Sequence, residues 1–92
     1  MSMSVDERRT ETLQEVELPT GKLRLAKASS RYDRRMRYLV VEWCPPQFVG
    51  TEMEEYAYRV LQNWHPARRP ENRIEAEAAY VGCLHLLRVM AQ

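Results

Sequence analysis

The chain has 92 residues, enough for one hydrophobic core but too few to enclose a deep active site beside it. Apolar residues make up 45% of the sequence and charged residues 29%, which excludes an intrinsically disordered chain. The formal net charge is only +1, and the sequence pI of about 7.8 is lower than a typical nucleic-acid-binding domain shows. We therefore expect one folded domain in which any electrostatic function depends on how charge is distributed along the chain.

The sequence carries no sign of secretion or membrane insertion. Residues 1–9 lack the apolar segment of a signal peptide, and no apolar run approaches the roughly 18 residues of a membrane span. The two cysteines, Cys44 and Cys83, are too few for a disulfide framework and form no CxxC pair. These features predict a cytoplasmic protein with reduced thiols and no membrane contact.

Residues 1–10 are polar and charged with no apolar period, which predicts a flexible amino-terminal arm, and 11–92 are expected to form a single α+β domain. Residues 12–18 and 22–28 alternate apolar with polar side chains, as half-buried strands do, and Pro19-Thr20-Gly21 between them fits a type I turn. A third strand, 36–44, has β-branched and aromatic residues on both faces, which predicts the best-buried strand of the three.

A first helix is predicted over 51–65. Thr51 and Glu54 have the spacing of a capping box, and Pro66 predicts the end of the helix. At about 100° per residue, one apolar stripe contains Met53, Ala57, Val60, Leu61 and Trp64.

A second helix is predicted from Asn72 to near the carboxyl terminus. Its main apolar arc contains Ala76, Ala79, Tyr80, Cys83, Leu87 and Met90 and is expected to cover the sheet. The opposite side also carries apolar residues, among them Ile74, Ala78, Val81 and Val89. A helix that is apolar over most of its circumference needs a second contact, either the first helix or another copy of the chain. The short linker favours the first helix, and a homodimer through the carboxyl-terminal helix is the alternative.

Together these elements predict an α+β fold: a three-stranded antiparallel β-meander followed by a two-helix hairpin packed on one face of the sheet, in the order βββαα.

The densest charge cluster of the chain lies between the second and third strands. Residues 22–37 contain seven basic side chains and one acidic one, Asp33, and the predicted hairpin presents their densest part at its tip. Arginine forks bind carboxylates or phosphates, and a tyrosine can fill a protein pocket or stack on a base. The predicted partner-binding residues are Arg24, Arg31, Tyr32, Arg34, Arg35 and Arg37. Glu52, Glu54 and Glu55 at the start of the first helix predict an acidic opposite pole.

No constellation of residues indicates catalysis, a metal or a cofactor. Cys83 and His85 project about 200° apart on a helix and cannot easily share a metal ion. The glycines are too scattered for a phosphate-binding loop, and no nucleophile has a plausible partner. A pocket lined by Tyr56, Trp64 or Tyr80 would be needed for a small enzyme, but these aromatics are expected in the core.

The sequence therefore predicts a small non-enzymatic protein, such as an adaptor, regulator or inhibitor. It is expected to dock through its Arg-rich hairpin on a protein or ribonucleoprotein with an acidic surface. The alternative is direct nucleic-acid binding by the same hairpin and the exposed face of the sheet. A third possibility is that the basic tip is simply a solvated loop.

Overall fold

The computed structural model describes residues 10–29 and 35–92, which form a four-stranded antiparallel sheet with one long helix on one face. The predicted arm lies outside the described residues except for Thr10, which begins the first strand. The strands are β1 (Thr10–Leu18), β2 (Gly21–Ser29), β3 (Arg37–Cys44) and β4 (Arg59–Trp64), and they neighbour one another in chain order. Between β3 and β4 lie a 3₁₀ turn, Pro46–Phe48, and a single-turn helix α1, Glu54–Ala57, and the chain ends with helix α2, Pro70–Met90.

The α+β class and the three predicted strands are confirmed, with boundaries that shift by one or two residues. The predicted two-helix hairpin is wrong, because most of the expected first helix is strand β4 and only α2 is a long helix. The predicted capping box does not form: α1 begins after Met53 without a side-chain cap, Thr51 Oγ1 accepts from the Met53 amide, and Glu54 accepts from the Gly50 amide. These two bonds hold the turn that precedes α1.

Strand β3 explains why residues 59–64 form a strand. Its residues from Leu39 to Glu42 are fully buried, so the backbone amides and carbonyls along both of its edges need partners within the protein. Strand β2 pairs with one edge, and β4 pairs with the other, from Trp43↔Arg59 to Leu39↔Trp64. Hydrogen bonding to the free edge of β3 therefore outweighs the helix propensity that the spacing of the apolar residues in 59–64 indicates.

The main core lies between the sheet and α2. Alternation along the central strands places Leu23 and Leu25 of β2 and Leu39 and Val41 of β3 on the face that α2 covers. Helix α2 contributes the buried Ala76 and Tyr80, with Ala79, Cys83, Leu84 and Leu87 partly buried around them. We call the other side of the sheet the far face; there a smaller cluster joins Ala26, Ala28, Val40 and Tyr38.

The β1–β2 turn fits tightly against β3. Leu18 pairs with Gly21, so Pro19 and Thr20 form the turn, and Gly21 has a φ of +128°, which L side chains rarely adopt. The Trp43 indole donates to the Thr20 carbonyl at 2.9 Å. A Cβ atom at Gly21 would overlap this indole and the Cys44 carbonyl.

We expect Gly21→Ala to lower the free energy of unfolding by about 2–4 kcal/mol, because backbone strain and a steric clash add together. Gly50→Ala is the matched control: its φ is +82°, but no described atom lies within 4 Å of the added Cβ, so we expect a loss of about 1 kcal/mol. Urea unfolding of both variants measures the difference. Equal losses would show that the turn is not held against Trp43.

Candidate functional site

The predicted partner-binding residue Arg24 is buried on the far face, with only 5% of its surface exposed. Its guanidinium donates from Nε and Nη2 to Glu42 Oε2 at 3.0 and 2.7 Å, across the β2–β3 pair. The ring of Tyr58 lies over the guanidinium, with its centroid 3.8 Å from Cζ. Arg24 is therefore a structural residue and is not available to a partner.

A second set of polar contacts extends from this ion pair. Glu54 accepts hydrogen bonds from the Gly50 amide at 2.8 Å, the Tyr58 hydroxyl at 2.9 Å and Lys22 Nζ at 3.0 Å. The Gly50 and Lys22 donors are the main reason that the pKa of Glu54 falls to about 2. Burial and the bond to Glu54 raise the pKa of Tyr58, and Glu54 also raises the pKa of Lys22. None of these three shifts moves a group towards titration near neutral pH, and the hydrogen bonds that cause them link three segments of the chain.

The other predicted partner-binding residues divide into two groups. Arg31, Tyr32 and Arg34 lie outside the described residues. Arg35 and Arg37 are exposed at the start of β3 and line a cleft of about 410 Å³. We call this cleft the basic cleft; its described lining consists of Lys27, Arg35, Met36, Arg37, His65, Pro66, Ala67 and Arg68.

Three chain segments meet at the basic cleft because β4 runs antiparallel to β3. Trp64, at the end of β4, pairs with Leu39 near the start of β3, so the chain that follows β4 passes beside Arg37. The Ala67 amide donates to the Arg37 carbonyl at 2.9 Å, and the Asn72 side chain donates to the Pro66 carbonyl at 2.8 Å. These bonds position the β4–α2 connection against β3.

The basic cleft combines positive charge with apolar surface. Among the described residues no carboxylate lines it, and within 10–29 and 35–92 no ion pair engages Lys27, Arg37 or Arg68. Glu11 neighbours Lys27 in the β1–β2 register without such a pair. Met36, 45% exposed, is the apolar part of the lining that a bound molecule can reach. The site suits a ligand with both carboxylate or phosphate groups and an apolar portion.

Sequence reasoning missed Lys27, His65 and Arg68 as members of the site. The sequence pattern predicts Lys27 within the second strand, His65 at the end of the first helix and Arg68 in the linker between the two helices. The signal that reveals them is the assignment of 59–64 as the strand beside β3, because only that pairing returns the chain to Arg37.

The other parts of the described chain offer weaker sites. A cleft of about 380 Å³ beside Trp64 and one of about 290 Å³ beside Tyr58 each contain a single charged side chain, Glu75 and Arg59 respectively. Burial raises the pKa of the Cys44 and Cys83 thiols, which disfavours reactive thiolates. Within the described ranges no cluster of His, Cys, Asp and Glu could hold a metal ion, and no helix is long and apolar enough to cross a membrane.

Comparison of the chain with protein families, with curated proteins and with solved structures finds no significant match. The functional interpretation therefore depends on the geometry of the basic cleft.

We expect Arg24→Met to destabilise the fold by about 3–5 kcal/mol, because it leaves Glu42 buried without its guanidinium. The double variant Arg24→Met/Glu42→Leu should recover most of that loss, because it removes the buried carboxylate together with the guanidinium. Urea unfolding of the wild type, the single and the double variant measures both effects. A double variant no more stable than the single one would contradict this account of the ion pair.

Glu54 should contribute to stability in a pH-dependent way. Its pKa lies at about 2 in the folded protein against an ordinary value of 4.5, so its contribution is complete above about pH 4.5 and is lost as pH falls towards 2. Allowing for solvent screening, we expect Glu54→Gln to lower the free energy of unfolding by about 1–2 kcal/mol near pH 7, and the difference from wild type to shrink over that window. Urea titrations across this range test it. The matched control is Glu52→Gln, the same change at an exposed neighbour.

Proposed function

We propose that the protein is a non-enzymatic binding module that docks on an acidic protein surface through the basic cleft. The observation that carries this proposal is the combination of basic side chains from three chain segments with an exposed apolar side chain, Met36, in one cleft. As an adaptor, regulator or inhibitor, such a protein acts by occupying part of a larger partner.

The chemistry of the lining favours a protein partner. Arginine and methionine are both enriched in protein–protein interfaces, where apolar contacts at the centre are surrounded by polar groups. Arg37 and Arg68 offer planar forks for carboxylates, and Met36 offers a flexible side chain that adapts to an apolar residue of the partner. A partner segment that alternates acidic and apolar side chains satisfies both kinds of contact.

Direct nucleic-acid binding remains the alternative function. It is favoured by the absence of carboxylates among the described lining residues, since phosphates bind the same guanidinium groups. Two observations favour protein instead: the net charge is only +1, and phosphate contacts do not require the apolar part of the cleft.

The proposal is tested with labelled peptides of equal negative charge, one with acidic residues interleaved with Leu and Phe and one with acidic residues interleaved with Gly and Ser. We expect the apolar-acidic peptide to bind more tightly, and Arg37→Glu/Arg68→Glu to weaken its binding by about tenfold or more. Met36→Ala should weaken binding of the apolar-acidic peptide only. Fluorescence anisotropy at two salt concentrations measures the affinities.

Arg59→Glu is the matched control, because Arg59 is an exposed arginine that pairs with Trp43 at the opposite end of β3. The affinity of Arg59→Glu for the apolar-acidic peptide should stay within about twofold of the wild-type affinity. Mixed-sequence DNA and RNA, single- and double-stranded, are titrated in parallel. Tighter binding of oligonucleotides than of either peptide, with a steep salt dependence, would support the nucleic-acid alternative. Absence of binding to every probe at millimolar concentration would contradict the proposal.

A further inference from the structure

The side of α2 that faces away from the sheet carries an apolar stripe. Its members recur every three or four residues, as one face of a helix requires. We call them the outer stripe: Ile74, Ala78, Val81, Gly82, His85 and Val89. Ile74, Val81 and Val89 are 68%, 62% and 50% exposed, so the stripe is open over more than four helical turns.

The fold removes the intrachain partner that the sequence favoured for this stripe. The expected first helix is reduced to the four residues of α1, followed by β4 in the sheet. Helix α2 packs on the sheet through Ala76, Tyr80 and their neighbours on its opposite side. No element among the described residues packs on the outer stripe, so a molecule that covers it has to come from outside the chain.

Gly82 indicates that this contact is close. A glycine in a helix interior is less favourable than alanine, and Gly82 lies twelve positions after Pro70 and eight before Met90. No described atom lies within 4 Å of where its Cβ would be, so packing within the chain gives no reason for it. Gly82 and Ala78, one turn earlier, are both small, so the surface of the helix is closest to its axis there. Another helix can approach closely at this position.

The stripe is self-complementary when two copies run antiparallel. Three acidic side chains in its first half, Glu71, Glu75 and Glu77, outnumber one basic side chain, Arg73, which pairs with Glu77. Its second half carries one arginine, Arg88. About a centre between Val81 and Gly82, Ile74 lies as far on one side as Val89 on the other, and Ala78 as far as His85. An antiparallel pair therefore places Ile74 beside Val89 and the small Ala78 beside the larger His85. It also brings the acidic half of each helix beside Arg88 of the other, whereas a parallel pair places like charges together.

We propose that α2 forms a symmetric antiparallel homodimer interface in which the outer stripes of two copies pack around Gly82. This inference goes beyond the docking function and does not depend on it. The edges of the sheet are poorer sites for self-association: β1 carries Glu11, Glu15 and Glu17, and β4 has a register shift beside its pairing with Val41 and Glu42. Charged and irregular strands are devices that block edge-to-edge pairing.

Sedimentation equilibrium over a wide concentration range tests the oligomeric state of the full chain. We expect wild type to reach twice the 10.9 kDa chain mass, and Val81→Glu to raise the dissociation constant by about a hundredfold or more. Met53→Glu is the matched control, because Met53 is 52% exposed and lies away from α2. Wild type that stays monomeric at about 1 mM, or a dimer unaffected by Val81→Glu, would overturn the proposal.

Gly82→Ala separates a packing role from a folding role. We expect this variant to raise the midpoint of thermal unfolding of the dilute monomer, because alanine favours helix, and to weaken the dimer by about fivefold or more, because the added methyl separates the helices. Unchanged or tighter dimerisation would contradict the close approach at Gly82.

Cross-linking tests the antiparallel arrangement. Ile74→Cys and Val89→Cys chains are mixed in a Cys83→Ala background and oxidised. Antiparallel pairing gives mainly disulfides between the two variants, whereas a predominance of links between identical variants would exclude it.

Discussion

Strand β3 has buried side chains on both faces, so the backbone groups along both of its edges need hydrogen-bond partners from the chain. Strand β2 meets one edge through the hairpin, and residues 59–64 meet the other. This second pairing determines three other features of the molecule. It places the β4–α2 connection beside Arg37, it leaves α1 as a single turn, and it removes the only intrachain helix that was expected against the outer stripe of α2. The proposed basic cleft and the proposed dimer interface therefore follow from the same backbone requirement.

The basic residues between Lys22 and Arg37 have different roles according to the face and the end of the sheet on which they lie. Lys22 and Arg24 point to the far face, where Glu54 and Glu42 neutralise them. Because side chains alternate along a strand, Lys27 and Arg37 lie on the face of the sheet that packs against α2. They are beyond the part of that face that α2 covers, and they line the basic cleft. The exposed Glu52 and Glu55 lie in the connection that follows the carboxyl-terminal end of β3. At about 3.3 Å per residue, the two ends of β3 are about 25 Å apart. The basic cleft and these two glutamates therefore lie at opposite ends of β3.

The three strands of the meander were predictable because their alternation and turn residues are local signals. The error at 59–64 has a physical cause. Apolar residues from Met53 to Trp64 happen to fall at helical spacing, but helix propensity is a weak preference, and pairing with β3 outweighs it. The role of Arg24 depends on Glu42, eighteen residues later, and only the hairpin register reveals that partnership. Arg35 and Arg37 were identifiable from charge density, whereas His65 and Arg68 join them through tertiary structure alone.

The two proposals have a joint geometric consequence. Helix α2 begins at Pro70, two residues after Arg68 of the basic cleft, so each cleft lies at the amino-terminal end of its own helix. An antiparallel pair centred between Val81 and Gly82 places the two clefts at opposite ends of the helix pair, about 35–40 Å apart at a rise of about 1.5 Å per residue. In such a dimer, a partner with one acidic segment would engage one cleft at a time, and a partner with two segments at that spacing would engage both, which would raise its apparent affinity through effective concentration. Dimerisation through α2 would then select among acidic partners by the distance between their binding segments, a property that neither the cleft nor the helix has alone.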